Sequence, residues 1–175
     1  MVKLQQAATN RDLSLTDNLL IFLTIEYDDS KERHMNWEYS CGAVVFTREN
    51  GHILFTIVQE QSGAYSFPKG HMESNETEME TARREILEET GLNPDFLPGF
   101  KAEDEYNLAE KPGTRKRVTY FLAEYKNQPL VPRQGEIRRI QLLPFDEALS
   151  CFEHEGTKSV LTKAQTFLTE QSENG

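Results

Sequence analysis

Three carboxylates stand at i, i+3 and i+4 in the stretch REILEETG: Glu85, Glu88 and Glu89. On a helix these positions are neighbours, so the three charges project to one side and repel one another. They also fall near the negative end of the helix dipole. A divalent cation removes both conflicts. Carboxylate oxygens are the hard ligands that Mg²⁺ takes, and Mg²⁺ shares its shell with waters and phosphate oxygens. An isolated E-x-x-E-E would read as a solvated acidic face. Here Gly70, Glu76, Arg84 and Gly91 flank it at fixed offsets, so a bound divalent cation is the better reading.

The element that must position these groups is legible nearby. Thr77 and Glu80 have the spacing of a capping box, each side chain taking an orphan backbone donor of the other. Gly91 suits the left-handed residue that ends a helix. Met79, Ala82 and Ile86 recur at three- and four-residue spacing and make an apolar face.

Read together, Gly70, Glu76, Arg84, Glu85, Ile86, Glu88, Glu89, Gly91 and Leu92 fill every fixed position of G-x5-E-x7-R-E-U-x-E-E-x-G-U, where U is apolar. The stretch resembles the Nudix box. That resemblance implies an α+β fold, an α/β/α sandwich around a mixed sheet, and hydrolysis of a nucleoside diphosphate linked to another group. It implies Mg²⁺, with Mn²⁺ as a substitute, held by Glu85, Glu88 and Glu89 with help from the Gly70 carbonyl. Arg84 would orient a box carboxylate through a bidentate pair, and Glu76 would fix the loop by hydrogen bonds. Glu85 is the first choice of general base. Glu136, from a distant loop, is the alternative base or an extra ligand; an exposed loop carboxylate is the competing reading.

A narrower resemblance covers FPKGH (Phe67–His71) and EYNLAEKPGTRKRVTYFLAEYKN from Glu105. Both are similar to the asymmetric diadenosine tetraphosphate hydrolases, in which two Tyr rings sandwich an adenine. Tyr106 and Tyr120 occupy matching positions, although Tyr120 reads equally as strand core. Lys69, His71 and Lys116 are the corresponding candidates for polyphosphate contacts. His71 could instead cap the loop, and Lys116 could be a solvated strand end. Tyr65 stands where many Nudix proteins have Trp, so the likeness is looser there. The implied reaction is cleavage of diadenosine tetraphosphate to ATP and AMP. RNA 5′ ends, diphosphoinositol polyphosphates and oxidised nucleoside triphosphates remain as alternative substrates. A nucleotide-sensing domain without catalysis is the rival from another class; such domains often lose box carboxylates, and this chain has them all.

Composition sets limits on partners. The 175 residues carry a formal net charge of −10, with 37% apolar and 27% charged residues. That suits one soluble domain with a sizeable core. The acidity leaves no extended nucleic-acid or anionic-membrane surface, so phosphates must be met by metal and a few local Lys or Arg. Cys41 and Cys151 lack metal-ligand spacing and read as reduced thiols of a cytoplasmic protein. No apolar run approaches membrane-spanning length.

Along the chain, residues 1–35 form an extension of unassigned role, apolar from Leu13 to Ile25, either packed on the domain or serving as a homo-oligomer contact. Residues 36–170 are the expected Nudix hydrolase domain and 171–175 a polar tail. Strands are expected at Ser40–Thr47 and Ile53–Glu60 around an Asn50-Gly51 hairpin turn. Ser62–Gly70, with Pro68, reads as irregular. Further strands fall within Phe100–Leu108, Arg117–Tyr125 and Ile137–Phe145. In the second of these, Val118, Tyr120 and Leu122 alternate with Phe121, Ala123 and Tyr125, the mark of a strand buried on both faces. Helices are expected at Asp146–Phe152 and Thr157–Glu170.

Overall fold

Strand β1 (Asn36–Glu49) carries Val44 and Phe46 on one face and Ala43 and Val45 on the other, and all four are fully buried. A strand apolar on both faces needs cover on both sides, and helices supply it while strands pair along its edges. β2 (His52–Glu60) turns back against β1 through Asn50 and Gly51, which both take positive φ (50° and 82°), the conformation that a two-residue hairpin requires. β7 (Thr114–Glu124) lies parallel to β1 along its length, from Asn36↔Thr114 to Phe46↔Glu124. Its two faces divide as the alternation predicts. Val118, Tyr120 and Leu122 join one core, and Ala123 with the half-buried Phe121 joins the other.

These findings come from a computed structural model that describes residues 36–173; the expectations for residues 1–35 lie outside the described residues. Around the central pair, β6 (Ala102–Asn107) and β5 (Asp95–Phe96) run antiparallel to β7. β8 (Ile137–Leu143) and β3 (Tyr65–Ser66) run antiparallel to β2, and β4 (Lys69–His71) pairs with the first half of β1. Helix α1 (Glu78–Thr90) covers one face, where Ile86 packs with Ala43, Val45, Leu92 and Ala123. Helices α2 (Phe145–Cys151) and α3 (Glu155–Glu173) cover the other, with Ala148, Val160, Leu161, Ala164 and Leu168 against Phe46, Phe55 and Leu122. The result is the expected α/β/α sandwich around a mixed sheet. Full burial of one such Leu or Ile side chain contributes about 1.5–3 kcal/mol.

Three differences from the sequence reading have physical causes. The stretch around Pro68 is not irregular throughout: β3 and β4 sit on either side of the proline, which lacks a donor and takes no ladder position. Gly42 makes this crossing possible, because a Cβ there would fall 2.2 Å from the Pro68 carbonyl oxygen. Met79 does not join the apolar face of α1; it is exposed in the first turn, while Thr81 takes a buried place beside Ala82. The last helix begins at Glu155 and runs to Glu173, past the polar tail's expected start.

Candidate active site

Local chemistry builds α1 as its ends suggest. Thr77 Oγ1 accepts from the Glu80 backbone N–H (3.3 Å), and the Glu80 carboxylate accepts from that of Thr77 (2.8 Å). Gly91 closes the helix at φ 74°. The helix buries Thr81, Ala82, Glu85, Ile86, Glu89 and Thr90. Glu85 and Glu89 are one four-residue step apart and share this stripe. Glu88, one four-residue step from Arg84, falls on the flank and is exposed. The three carboxylates are therefore divided, two inward and one outward.

β4 brings Gly70 against the inward pair. A Cβ on Gly70 would lie 2.1 Å from the Glu85 carboxylate carbon, so the carboxylate rests directly on the glycine backbone. Arg84 Nη1 donates to Glu85 Oε1 (2.6 Å). The rest of that guanidinium is committed elsewhere: Nε and Nη2 donate to the two oxygens of Glu76 (2.7 and 2.9 Å), and Nη2 also donates to the His71 carbonyl (2.9 Å). Glu76 further accepts from the Glu73 N–H and the Thr81 hydroxyl, tying the loop before α1 to the helix. Glu89 accepts from the Lys69 N–H (3.2 Å). Its burial pushes it up to about 8; Lys69 opposes that shift and the charges of Glu85 and Glu136 add to it.

The Arg84 hydrogen bonds hold Glu76 down at about 2, below its ordinary 4.5. A carboxylate with a depressed folded value stabilises the fold above its unfolded value and loses that contribution as pH falls through the folded one. Glu76→Gln should therefore be less stable than the parent near neutral pH, with a flatter loss of Tm as pH falls from about 4.5 to about 2. Thermal melts across that window check it; parallel curves for the two proteins would contradict it.

Two clefts open beside these residues. The first, about 350 Å³, is lined by Glu89, Gly70, Lys69, His71, Lys116 and Glu136, among others. Lys69 Nζ donates to Glu60 (3.3 Å), and His71 Nε2 stands 3.2 Å from Glu38 at the rim. Lys116 is half-buried, and burial together with the Lys69 charge lowers its pKa. Among the described residues no carboxylate stands within ion-pair distance of its ammonium. Its neighbours Arg115 and Arg117 point the other way, over the Trp37 ring and to Glu105. The second cleft, about 480 Å³, is walled by Tyr65, Tyr106, Tyr120 and His154. Tyr106 faces the imidazole of His154, nearly parallel (7°) at 5.9 Å between centroids. Tyr120 lies deeper, 2% exposed and edge-on to Phe67 at 5.4 Å.

The sequence reading did not select His154 or Glu60. His154 precedes α3 and meets Tyr106 only through the docking of that helix on β6; no local pattern marks it. Glu60 ends β2 and reads as a polar strand terminus.

The donor chemistry fits a divalent cation. Glu85 rests against the Gly70 backbone, and the buried Glu89 lines the same cleft as Gly70. Burial pushes Glu89 toward its neutral form, a cost that a bound cation would offset. Among the described residues, no three His, Cys, Asp or Glu side chains gather into a group that could hold a metal ion; Glu88 stands exposed on the flank of α1.

The chain is similar to several described proteins. A chain described as an asymmetrical bis(5′-nucleosyl)-tetraphosphatase of Sus scrofa is 33% identical over 141 residues, covering 74% of this chain and 94% of that protein. The protein of the same description from Rattus norvegicus is 34% identical with the same coverage. The crystal structure of a C. elegans Ap4A hydrolase binary complex superposes with a TM-score of 0.70 over 76% of this chain and 98% of that one, at 24% identity, and shares the fold. A family model for the NUDIX domain matches residues 39–164, and the chain belongs to that family.

Proposed function

We propose that this protein is a divalent-cation-dependent hydrolase of nucleoside polyphosphates, and that it cleaves diadenosine tetraphosphate asymmetrically to ATP and AMP. The observation that carries the reading is the junction of the two clefts. Glu60, Ser62 and Lys69 line both, so a carboxylate-rich, lysine-edged site adjoins an aromatic one. A base joined to a polyphosphate needs that adjacency. The names borne by the relatives from Sus scrofa and Rattus norvegicus support the same substrate.

In this reading the base stacks on the face of Tyr106 that His154 now covers, His154 parting to admit it. Such stacking is worth about 1–3 kcal/mol per base and tolerates base identity. Lys116 and Lys69 neutralise phosphate oxygens in the first cleft. Glu85, Glu88 and Glu89, with the Gly70 carbonyl, would hold Mg²⁺ or Mn²⁺, which when bound neutralises the phosphates and acidifies water. Glu85 takes the proton of the attacking water, and Arg84 keeps that carboxylate aimed. Glu136 stands at the mouth of the same cleft and is the alternative acceptor. Water attacks phosphorus, the P–O bond to the departing nucleotide breaks, and the leaving phosphate carries the negative charge.

The test is product analysis. Diadenosine tetraphosphate incubated with the protein and Mg²⁺ should give equal amounts of ATP and AMP by ion-exchange chromatography. Two ADP would mean symmetric attack and would overturn the proposed pose. Intact substrate would remove this substrate from the proposal, and capped RNA, inositol pyrophosphates and oxidised triphosphates would be assayed in its place.

A further inference from the structure

Glu88, exposed on the flank of α1, has a specific partner. Arg133 Nη1 donates to Glu88 Oε2 at 2.9 Å and stands 3.1 Å from Glu136 Oε2. One guanidinium thus bridges an acid of α1 and an acid of the loop that lines the first cleft. The backbone places it there. Val131 N–H donates to the Thr90 carbonyl (2.8 Å) and Arg133 N–H to the Glu89 carbonyl (3.2 Å), so this loop satisfies orphan acceptors at the C-terminus of α1. Gln61 N–H donates to the Glu136 carbonyl (3.0 Å), which pins the far end of the loop to the strand side of the cleft.

Arg84 is the other cation near Glu88, but at 3.8 Å, and its donors are already spent on Glu76, Glu85 and the His71 carbonyl. Arg133 differs. Its side chain is 45% exposed and pairs with Glu88 and with Glu136 of the cleft wall. It can swing into solvent without uncovering core.

The geometry points to Arg133 as an internal counter-cation that a divalent ion must displace from Glu88 and Glu136, so that this one residue sets the protein's divalent-cation affinity. The inference rests on the reading of Glu88 as a metal ligand. A monovalent charge already seated between two carboxylates lowers their attraction for a second cation twice over. It occupies their lone pairs, and it repels the incoming charge. The position of the loop is independent of this charge, because the bonds that hold it come from backbone atoms that a substitution leaves in place.

The experiment is titration of the purified 175-residue protein with Mn²⁺ and no nucleotide, followed by the electron paramagnetic resonance signal of the free ion. Arg133→Gln should bind Mn²⁺ more tightly than the parent by about three- to tenfold. The gain should shrink as KCl is raised, since the pair is exposed and salt screens it. Arg133→Lys keeps the charge and should stay near the parent value. Unchanged or weaker binding by Arg133→Gln overturns the inference. Glu88→Gln distinguishes the two levels of failure. If it weakens Mn²⁺ binding while Arg133→Gln has no effect, only the role of Arg133 falls. If it leaves binding unchanged, the assignment of Glu88 falls too. A gain in Arg133→Gln that persists at high salt, or that Arg133→Lys shares, would point to loop rearrangement and also overturn the proposal.

Discussion

Glu85→Gln should lower kcat on diadenosine tetraphosphate by about a thousandfold or more and leave nucleotide affinity within about twofold. The carboxylate rests on the Gly70 backbone and is held by Arg84 Nη1 at 2.6 Å. Gln has nearly the same shape, so it fills the same space and disturbs the packing little. What it loses is charge and proton affinity. It cannot accept the proton of the attacking water, and it is a poor ligand for a hard cation. General bases of this kind contribute about 10²–10⁴-fold, and loss of a cation ligand adds to that. The rings proposed to bind the base and Lys116 lie in the adjoining walls and are untouched, so binding of a non-hydrolysable dinucleotide should survive. Single-turnover rates measured beside calorimetric titration of the analogue separate the two effects. Turnover near the parent level would rule Glu85 out and move the assignment to Glu136. Loss of binding in step with turnover would mean that the residue supports the cleft rather than the chemistry.

Gly70→Ala should cost activity on a similar scale, about a hundredfold or more, through one methyl group aimed at the Glu85 carboxylate. An ideal Cβ at this position falls 2.1 Å from the Glu85 carboxylate carbon and within 2.3 Å of both oxygens. No real contact is that close, so the carboxylate or β4 must move. The helix holds Glu85 from behind, since Ala82 and Ile86 on the same stripe are fully buried. β4 holds Gly70 through its register with Cys41. With both backbones held, the Glu85 carboxylate must swing from its place beside Arg84 Nη1, and catalytic geometry tolerates little displacement. The fall in kcat should exceed any loss of stability, so Tm and the far-ultraviolet dichroism are measured on the same preparation. An alanine variant with parent-like turnover would show that this close contact is not needed for the reaction. The result also separates Gly70 from Gly42, whose missing Cβ faces the Pro68 carbonyl and serves the crossing of the chain rather than a charged group.

Much of the architecture was readable from residue order alone. The capping box at Thr77 and Glu80, the helix stop at Gly91, the Asn50-Gly51 turn and the two-sided alternation of β7 are all consequences of short-range chemistry. Each depends on a few consecutive residues and the conformations open to them, so each can be read without knowing the rest of the molecule. The box residues were legible for the same reason, since their spacing is that of one helix and the loop before it.

What the sequence could not decide was how that helix is rotated against the sheet, and what crosses it from elsewhere. Periodicity groups Glu85, Glu88 and Glu89 on one side. Only packing of Ala82 and Ile86 onto β1 turns Glu85 and Glu89 inward and leaves Glu88 on the flank with Arg133. Tyr106 was visible as an aromatic in a polar strand, but the ring facing it belongs to His154, brought there by the docking of α3. Tyr120 shows the converse. Its alternation allows strand core or substrate wall, and the structure puts it at the boundary of both, buried against Phe67 and lining the aromatic cleft. The amino-acid order determined the elements and the acids they carry, because local conformational preference acts over a turn of helix or a pair of strand residues. Tertiary structure decided which of those acids face one another, because that depends on contacts between segments whose separation along the chain carries no periodic signal.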